Sequence, residues 1–346
     1  MVYSSSYIYA QERTGDGFAF IKRQLLWAFL GFISLVFVSQ VEVSKWKSYA
    51  LPISLSGAVL LVLVLIPGIG NRVGGAQRWI GLGPVNIQPA EYVKFACLFF
   101  MARQIEKKQT ELSRFVPGII APFLLPLLCM SLLLAQPDFG SCAIIALVGF
   151  LLLFFAGSSK KHLFVILISG LLLAATLVMS TPYRRARLMT FLDPWQDPMG
   201  KGFQVLQSML GLHNGGFWGV GLGNGKEKLF YLPEAHNDFI FAVIGEELGF
   251  VGVILVVGVF LFFILRGLKL VSDLEKQSKP LFSRVLGLGI VLTLGLQFFV
   301  NLAVVLGALP TKGLTLPFIS YGGSSLFFDL TAIGVLLSLS KGVKSS

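Results

Sequence analysis

The sequence predicts an all-α, polytopic membrane protein with one large loop outside the membrane. Its 346 residues are 55% hydrophobic and 13% charged, with a mean hydropathy of +0.79. A soluble domain needs about 25% charged residues to cover its surface. The apolar residues form nine runs, most of them close to the roughly 20 residues that a helix needs to cross the hydrocarbon. One long polar block, residues 181–237, interrupts these runs. No linker separates two folded domains, so we interpret residues 1–346 as a single integral membrane domain.

The predicted spans follow from the apolar runs taken in chain order. They are residues 23–41, 49–67, 89–105, 115–135, 139–156, 163–180, 238–268, 283–307 and 320–340. The third span opens with Pro89, which is favoured in the first turn of a helix. The fourth and fifth spans are joined by a very short connection at Pro137, which predicts a helical hairpin.

The distribution of Lys and Arg between the short connections orients these spans. One side of the membrane carries most of the cations, in residues 42–48, 106–114, 157–162, 269–282 and 341–346. Short cytoplasmic loops carry the excess of Lys and Arg, so that side and the C-terminus are predicted to be cytoplasmic. The loop of residues 181–237 then faces outward. The N-terminus is placed outside as well, although residues 1–20 show no cleavable signal peptide.

Composition argues against two other kinds of site. The net charge of +11 is scattered between apolar runs, which favours attraction to anionic lipid over binding of nucleic acid. Cys97, Cys129 and Cys142 lie within apolar runs and lack the spacing of metal ligands. We therefore predict that they are small, buried apolar residues.

Charged residues within spans are costly and are therefore candidates for function. Glu91 and Lys94 stand three residues apart and share one helix face near the outer end of the third span. They form either a self-neutralising pair that lets the helix insert or a polar wall of an outward-facing cavity, and we favour the cavity. Glu246 and Glu247 lie deeper in the seventh span, and we expect at least one of them to bond a neighbouring helix or backbone.

Other polar features lie at the outer ends of spans. Asp238 opens the seventh span, where a carboxylate can reach a substrate that is half lipid and half polar. Asp138 is expected to cap the helix that begins at Phe139. The glycines of residues 219–225 contain a dinucleotide-type spacing but do not lie between a strand and a helix, so we interpret them as a tight fold over the membrane surface. Most cations of the outer loop are expected to be solvated or bound to headgroups.

Short motifs along most of the chain point to one family. They occur at residues 75–80, 88–94, 136–141, 193–195, 202–208, 219–223, 232–249 and 309–325. Together and in this order they resemble the SEDS family of peptidoglycan polymerases, which includes FtsW, RodA and SpoVE. Residues 310–317 and 233–236 are more similar to FtsW or SpoVE than to RodA, which implies synthesis of septal rather than lateral wall.

One departure from the family concerns the N-terminus. The family has ten spans with both ends in the cytoplasm, and residues 1–6 resemble the outer end of its first span. The chain is therefore expected to lack the first helix of the family. A parent with ten spans also accounts for the N-terminus that the charge distribution places outside.

The resemblance implies an inverting glycosyl transfer from lipid II outside the bacterial cytoplasmic membrane. The growing glycan is carried on undecaprenyl pyrophosphate, and the sugar 4-hydroxyl of a new lipid II attacks its anomeric carbon. Asp238 matches the essential loop aspartate of the family and is predicted to be the general base. His236, two residues earlier, is a candidate for tuning the proton affinity of Asp238.

The leaving pyrophosphate needs positive charge. Lys94, Arg78 and Lys312 are the candidate residues for binding it, in that order, and Glu91 is expected to orient Lys94. No metal ligand set is predicted. Mg²⁺ remains open as a cofactor that shares the charge, because it commonly bridges phosphates through few protein ligands.

Two other functions stay open. A lipid II flippase or transporter would use Glu91, Lys94 and Glu246 as a polar path, but the midplane polar groups and inverted repeats of such transporters are not evident. A non-catalytic scaffold of the divisome would make Asp238 dispensable. The resemblance implies a class B penicillin-binding protein as the partner that cross-links the new strand, together with other divisome membrane proteins and no nucleic acid.

Overall fold

The chain is mainly helical in the computed structural model, which describes residues 1–346 except Gly74, Pro84, Lys201, Pro233, Glu234, Lys312 and residues 342–346. The α-helices are α1 (Val2–Thr14), α2 (Ala19–Ser39), α3 (Val43–Leu65), α4 (Pro89–Lys107), α5 (Ala121–Ala135), α6 (Phe139–Phe155), α7 (Lys160–Met179), α8 (Pro182–Leu192), α9 (Phe203–Gly215), α10 (Ile240–Lys276), α11 (Leu281–Val305) and α12 (Gly323–Ser340). Short 3-10 turns lie at Gln109–Glu111 and Pro194–Gln196, and π-helical turns at Val116–Ile120 and Glu227–Tyr231.

Each of the nine predicted spans overlaps one of these helices. Among the described residues, seven helical segments are long and apolar enough to cross a membrane: α2, α3, Val116–Ala135, α7, α10, α11 and α12. Helix α6 is apolar but has 17 residues. Helix α4 is less apolar because it contains five charged residues: Glu91, Lys94, Arg103, Glu106 and Lys107. The all-α polytopic membrane fold is thus confirmed, and the predicted outer loop, residues 181–237, contains helices α8 and α9.

A small sheet between α3 and α4 was not predicted from the sequence. Strands β1 (Gly70–Val73), β2 (Ala76–Leu82) and β3 (Val85–Ile87) pair antiparallel in the order β1-β2-β3. The strands are short. The chain reverses direction between them at Gly75 and Gly83, which have positive φ angles of 81° and 67°. Strands this short contain few alternating apolar and polar residues. The alternation from which a strand is predicted is therefore weak in this part of the sequence.

The described residues form two compact units. The first comprises Met1–Trp27, Ser169–Phe263 and Gly295–Gly322, and the second comprises Ala28–Ile168, Ile264–Leu294 and Gly323–Ser346. The boundaries fall within α2, α7, α10 and α11, so this division does not test whether the chain is one membrane domain. That assignment stays a prediction.

The core of the first unit surrounds the start of α10. Residues 239–244 are all buried there, and the rings of Phe260 and Phe298 stack with centroids 4.1 Å apart. Leu316, from the segment between α11 and α12, is buried in the same cluster. This core supports the turn that carries Asp238.

The second unit is held by close contacts between α3 and α4. A Cβ placed on Gly57 would lie 3.3 Å from the Cβ of Ala96, and Ser54 Oγ donates to the Ala96 carbonyl at 2.8 Å. Lipid tails are as apolar as leucine, so helices in a bilayer associate through such small residues and interhelical hydrogen bonds. This packing fixes α4, which carries Glu91 and Lys94.

Candidate active site

Asp238 lies in the turn that precedes α10, in the first unit, with its side chain half-exposed. Its backbone carbonyl accepts a hydrogen bond of 2.9 Å from Nδ2 of Asn301, a buried residue of α11. The same Nδ2 donates to the carbonyl of Leu314 at 2.8 Å. A Cβ on Gly313 would lie 3.3 Å from Asp238 Oδ2, so the backbone approaches the carboxylate closely there. Asn301 thus ties the Asp238 turn to the segment between α11 and α12.

The two residues before Asp238 are held in the same way. The backbone N–H of Tyr321 donates to the His236 carbonyl at 3.0 Å. Ser320 Oγ donates to the Asn237 carbonyl at 2.6 Å and accepts the N–H of Leu316 at 2.8 Å. Three successive carbonyls of this turn are therefore bonded by residues 301–321. These bonds fix the position of the Asp238 backbone.

The ring of His236 packs in an aromatic cluster beneath the turn. Its centroid lies 4.9 Å from Tyr9, 5.3 Å from Phe20 and 5.8 Å from Tyr321. His236 is buried, so its ring supports the turn through packing. The predicted effect of His236 on the proton affinity of Asp238 stays a prediction.

Glu91 and Lys94 form a buried ion pair in the second unit. Lys94 Nζ lies 2.7 Å from Glu91 Oε2, with side-chain exposures of 0% for Lys94 and 8% for Glu91. The shared helix face and the orientation of Lys94 by Glu91 are thus seen directly. This geometry matches the self-neutralising alternative, and binding of pyrophosphate by Lys94 stays a prediction.

Arg78, on strand β2, clamps the turn between α5 and α6. Its Nε donates to the Gln136 carbonyl at 2.9 Å, and its Nη2 donates to the Pro137 carbonyl. A guanidinium has five N–H donors, so this structural contact leaves donors for the predicted binding of phosphate. The clamp itself could not be read from the sequence, because it depends on the unpredicted sheet.

Asp138 caps α6 as predicted. Its Oδ1 accepts the backbone N–H of Ser141 at 3.2 Å, and its Oδ2 accepts the hydroxyl of Ser141 at 2.8 Å. A side-chain acceptor at this position satisfies one of the unpaired N–H groups at the start of a helix. Asp138 is therefore a structural residue.

Both glutamates of the seventh predicted span bond other segments of the first unit. Glu246 Oε1 accepts the backbone N–H of Lys226 at 2.7 Å. Glu247 Oε1 pairs with Lys228 Nζ at 2.6 Å and accepts the hydroxyl of Ser4 at 2.6 Å. The predicted structural role is confirmed for both carboxylates. Lys228 is buried in this pair, so it is not one of the loop cations that are solvated.

Glu227 is a buried carboxyl beside these pairs. Desolvation by burial, and to a smaller extent the negative charge of Glu246, raise the pKa of Glu227 to about 7. Its Oε2 has no hydrogen-bond partner among the described residues. The sequence reasoning missed Glu227 because its burial arises from a loop segment folding onto α10.

The candidate residues therefore fall into two groups. Asp238 and His236 belong to the first unit, whereas Glu91, Lys94 and Arg78 belong to the second. Lys312 lies outside the described residues. Among the residues that the structure describes, no group of three or more His, Cys, Asp or Glu could hold a metal ion. Mg²⁺ is commonly held by one or two carboxylates together with substrate phosphates, so its use stays a prediction.

Asn301 and Ser320 are functional candidates that the sequence reasoning missed. Their side chains bond the carbonyls of Asp238 and Asn237. An asparagine within an apolar span is a signal in its own right, because polar groups there are expensive and tend to bond across helices. The partners of Asn301 become visible only in the folded chain.

Comparisons with known proteins agree on one family. A family model described as "Cell cycle protein", covering FtsW, RodA and SpoVE, matches residues 1–345. A probable peptidoglycan glycosyltransferase FtsW of Geobacter metallireducens is 44% identical over 346 residues, 100% of this chain and 91% of that protein. Stage V sporulation protein E of Bacillus subtilis is 38% identical over 341 residues, 99% of this chain and 92% of that protein.

A solved structure extends the similarity to the fold. It concerns the coordination of polymerization and crosslinking by a peptidoglycan synthase complex. The matched chain has a TM-score of 0.79 and 31% identity, and the match covers 100% of this chain and 96% of that one.

Proposed function

The chain belongs to the cell cycle protein family of FtsW, RodA and SpoVE, and we propose that it is a peptidoglycan glycosyltransferase. Its reaction polymerises lipid II into glycan strands at the outer face of the bacterial cytoplasmic membrane, during synthesis of the septal wall. Support comes from the relatives named probable peptidoglycan glycosyltransferase, at 44% identity over the whole chain. The orientation, with a cytoplasmic C-terminus, is supported by the Lys and Arg distribution.

The observation that carries this proposal is the geometry of Asp238. The turn is held through three backbone carbonyls, and the side chain is half-exposed. A carboxylate so placed accepts the proton of the attacking 4-hydroxyl of lipid II while that oxygen bonds to the anomeric carbon of the growing strand. The bond from that carbon to the undecaprenyl pyrophosphate breaks on the opposite face, so the configuration inverts. A positioned base contributes typically about 10²–10⁴-fold to the rate.

Positive charge stabilises the departing pyrophosphate in this mechanism. Lys94, Arg78 and Lys312 are the proposed cations, and Glu91 holds Lys94 before the substrate arrives. If Mg²⁺ takes part, it shares the phosphate charge. The proposed partner is a class B penicillin-binding protein that cross-links the product, within the divisome, and the crosslinking complex of the structural relative supports this partnership.

The test is polymerisation of purified lipid II by the full-length protein together with its transpeptidase partner. We expect Asp238→Ala and Asp238→Asn to lower the rate by about 10²–10⁴-fold while the melting temperature stays at the wild-type value. Asp16→Asn is the matched control, because Asp16 pairs with the exposed Lys22 and such surface pairs contribute little. The asparagine oxygen can also keep the hydrogen bond that Asp16 Oδ1 accepts from the Phe18 N–H.

Each other outcome has a definite meaning. If both the wild type and Asp238→Ala produce glycan strands, the protein is a polymerase but its general base is another residue. Strands from neither, with both proteins folded, would favour a flippase or a scaffold over a polymerase.

A further inference from the structure

Helix α10 has a sharp break at Gly249, where φ is 66° and ψ is −165°. Another glycine, Gly219 with φ 80°, crosses the helix at that break. A Cβ on Gly219 would collide with the Glu247 carbonyl, and a Cβ on Gly249 would collide with the Gly219 backbone nitrogen. The two backbones therefore approach as closely as only glycine permits.

Four backbone hydrogen bonds hold the crossing segment at this break. They run from Phe250 N–H to the Gly216 carbonyl (3.0 Å), from Val251 N–H to the Phe217 carbonyl (3.2 Å), from Val220 N–H to the Glu246 carbonyl (3.0 Å) and from Gly221 N–H to the Glu247 carbonyl (3.1 Å). The broken helix leaves these groups without partners inside α10, and the crossing segment supplies them. Residues 216–221 are consequently fixed beside the break in α10.

The surroundings of α10 change at the same level. Residues 240–247 are all buried within the protein. Beyond the break, large apolar side chains are exposed along the helix: Phe250, Val251, Ile254, Leu255, Val259, Leu261 and Phe262. In a membrane-spanning helix such a strip faces lipid. The lipid-facing part of α10 thus begins at Phe250, directly after the break.

The crossing segment continues this apolar surface outward. Phe217, Trp218, Val220 and Leu222 are 57%, 78%, 41% and 67% exposed. The ring centroid of Phe217 lies 5.1 Å from Trp218 and 5.9 Å from Phe250, so these rings join the lipid-facing strip. Tryptophan is enriched where a membrane meets water, because its ring is apolar and its N–H is polar.

We propose that Phe217, Trp218, Val220 and Leu222 form an interfacial anchor that inserts into the headgroup and upper acyl region of the bilayer. The lipid is favoured over a protein partner because the surface is continuous with the lipid-facing strip of α10. The exposed Lys226, four residues beyond Leu222, adds attraction to anionic headgroups.

The anchor has a consequence for the turn that carries Asp238. The crossing segment is bonded to α10, and residues 240–248 rise from the break within the protein core. At 1.5 Å per residue that segment is roughly 13 Å long. Under the proposed function, the anchor sets the height of Asp238 above the membrane surface, where the sugars of a lipid-linked substrate lie. Insertion of the anchor itself does not depend on the proposed function.

A fluorescent label tests the depth of this segment. Leu222→Cys is made with Cys97, Cys129 and Cys142 replaced by alanine, labelled with an environment-sensitive dye and reconstituted into vesicles of phosphatidylethanolamine and phosphatidylglycerol. Spin-labelled lipids then quench dyes that lie near the top of the acyl chains. We expect blue-shifted emission and strong quenching at position 222.

The matched control is Glu12→Cys in the same background, because Glu12 is an exposed polar residue of α1; we expect its dye to report water and to be quenched little. Trp218→Cys carries the same prediction as Leu222→Cys if the latter protein does not fold. Equal emission and quenching at positions 222 and 12 would overturn the anchor. Shielding at position 222 that appears only after the transpeptidase partner is added would also overturn it, in favour of a protein contact. Neither result bears on polymerisation, which the Asp238 variants test separately.

Discussion

The turn at Asp238 and the ion pair of Glu91 and Lys94 place acidic side chains by opposite means. At Asp238 the backbone carbonyl is bonded by Asn301 and the side chain is half-exposed. At Glu91 the carboxylate itself is bonded to Lys94, and both side chains are buried. The first arrangement suits a group that must meet a substrate. The second suits a helix that must carry charge through an apolar environment, since a buried charge needs a partner.

The difference explains why the two sites are expected to respond differently to substitution. Substituting Asp238 keeps the three carbonyl bonds that hold its turn, so we expect the main loss to be in the reaction rate. Removing one member of a buried ion pair leaves an uncompensated buried charge, so the substitution lowers the stability of the fold. Substitutions at the two sites can therefore separate chemistry from structure.

The largest stability effect is expected at the buried pair. We expect Lys94→Ala to destabilise the protein by about 3–5 kcal/mol, because Glu91 is then buried without its partner. The measurement is the melting temperature of the purified protein in detergent, compared with that of the wild type. The double variant Glu91→Gln with Lys94→Met should recover most of the loss, since it removes both charges and keeps the side-chain volumes.

The double variant also tests the proposed role of Lys94 in the reaction. We expect it to fold but to polymerise lipid II more slowly than the wild type, because the pyrophosphate loses a cation. A folded double variant with the wild-type rate would contradict that role and confine the pair to stabilising α4.

A smaller effect is expected when the support of the Asp238 turn is removed. Asn301→Ala leaves the carbonyls of Asp238 and Leu314 without a donor, which costs about 1–3 kcal/mol for a buried group. It also lets the turn shift, and a misplacement of about 1 Å can cost about 10²-fold in rate. We therefore expect kcat to fall by about 10–10²-fold with KM little changed.

A neighbouring polar residue provides the control. Thr293 is buried in the same helix as Asn301, but its hydroxyl bonds the Gly289 carbonyl within that helix. Thr293→Ala should keep kcat near the wild-type value. If kcat falls equally in both variants, the carbonyl bonds of Asn301 do not position Asp238.

Sequence reasoning recovered the helices better than the contacts at the site. The spans follow from hydrophobicity alone, because only a helix satisfies its own backbone in lipid. The pair of Glu91 and Lys94 followed from helical spacing, and the cap at Asp138 from its place before an apolar run. Each of these features is local along the chain.

The missed features join residues that are distant along the chain. Asn301 is 63 residues from Asp238, and Arg78 is 58 residues from Gln136. Most loop cations were expected to be solvated, yet Lys228 pairs with Glu247 in the folded structure. No spacing rule connects such positions, because the packing of helices and loops decides which polar groups meet.

Glu227 adds a third kind of acidic site, a buried carboxyl beside other carboxylates. Its pKa is raised from 4.5 to about 7, first by burial and then by the charge of Glu246. A raised native pKa means that the folded state binds the proton more tightly than the unfolded state. Its contribution to stability is therefore present below pH 4.5 and is lost as the pH rises to about 7.

The substitution Glu227→Gln isolates this effect, because glutamine keeps the shape of the protonated acid and does not titrate. We expect the melting temperature of the variant to exceed that of the wild type at pH 8 and to match it near pH 4.5. The corresponding difference in the free energy of unfolding at pH 8 is at most about 3 kcal/mol, because each pKa unit corresponds to about 1.4 kcal/mol. The exposed Glu12→Gln should show no such trend. Other titrating groups contribute equally to variant and wild type, so they cancel from the difference. A difference that stays constant between pH 4.5 and 8 would mean that Glu227 is already ionised in the fold, with Lys228 or another cation near enough to offset its burial.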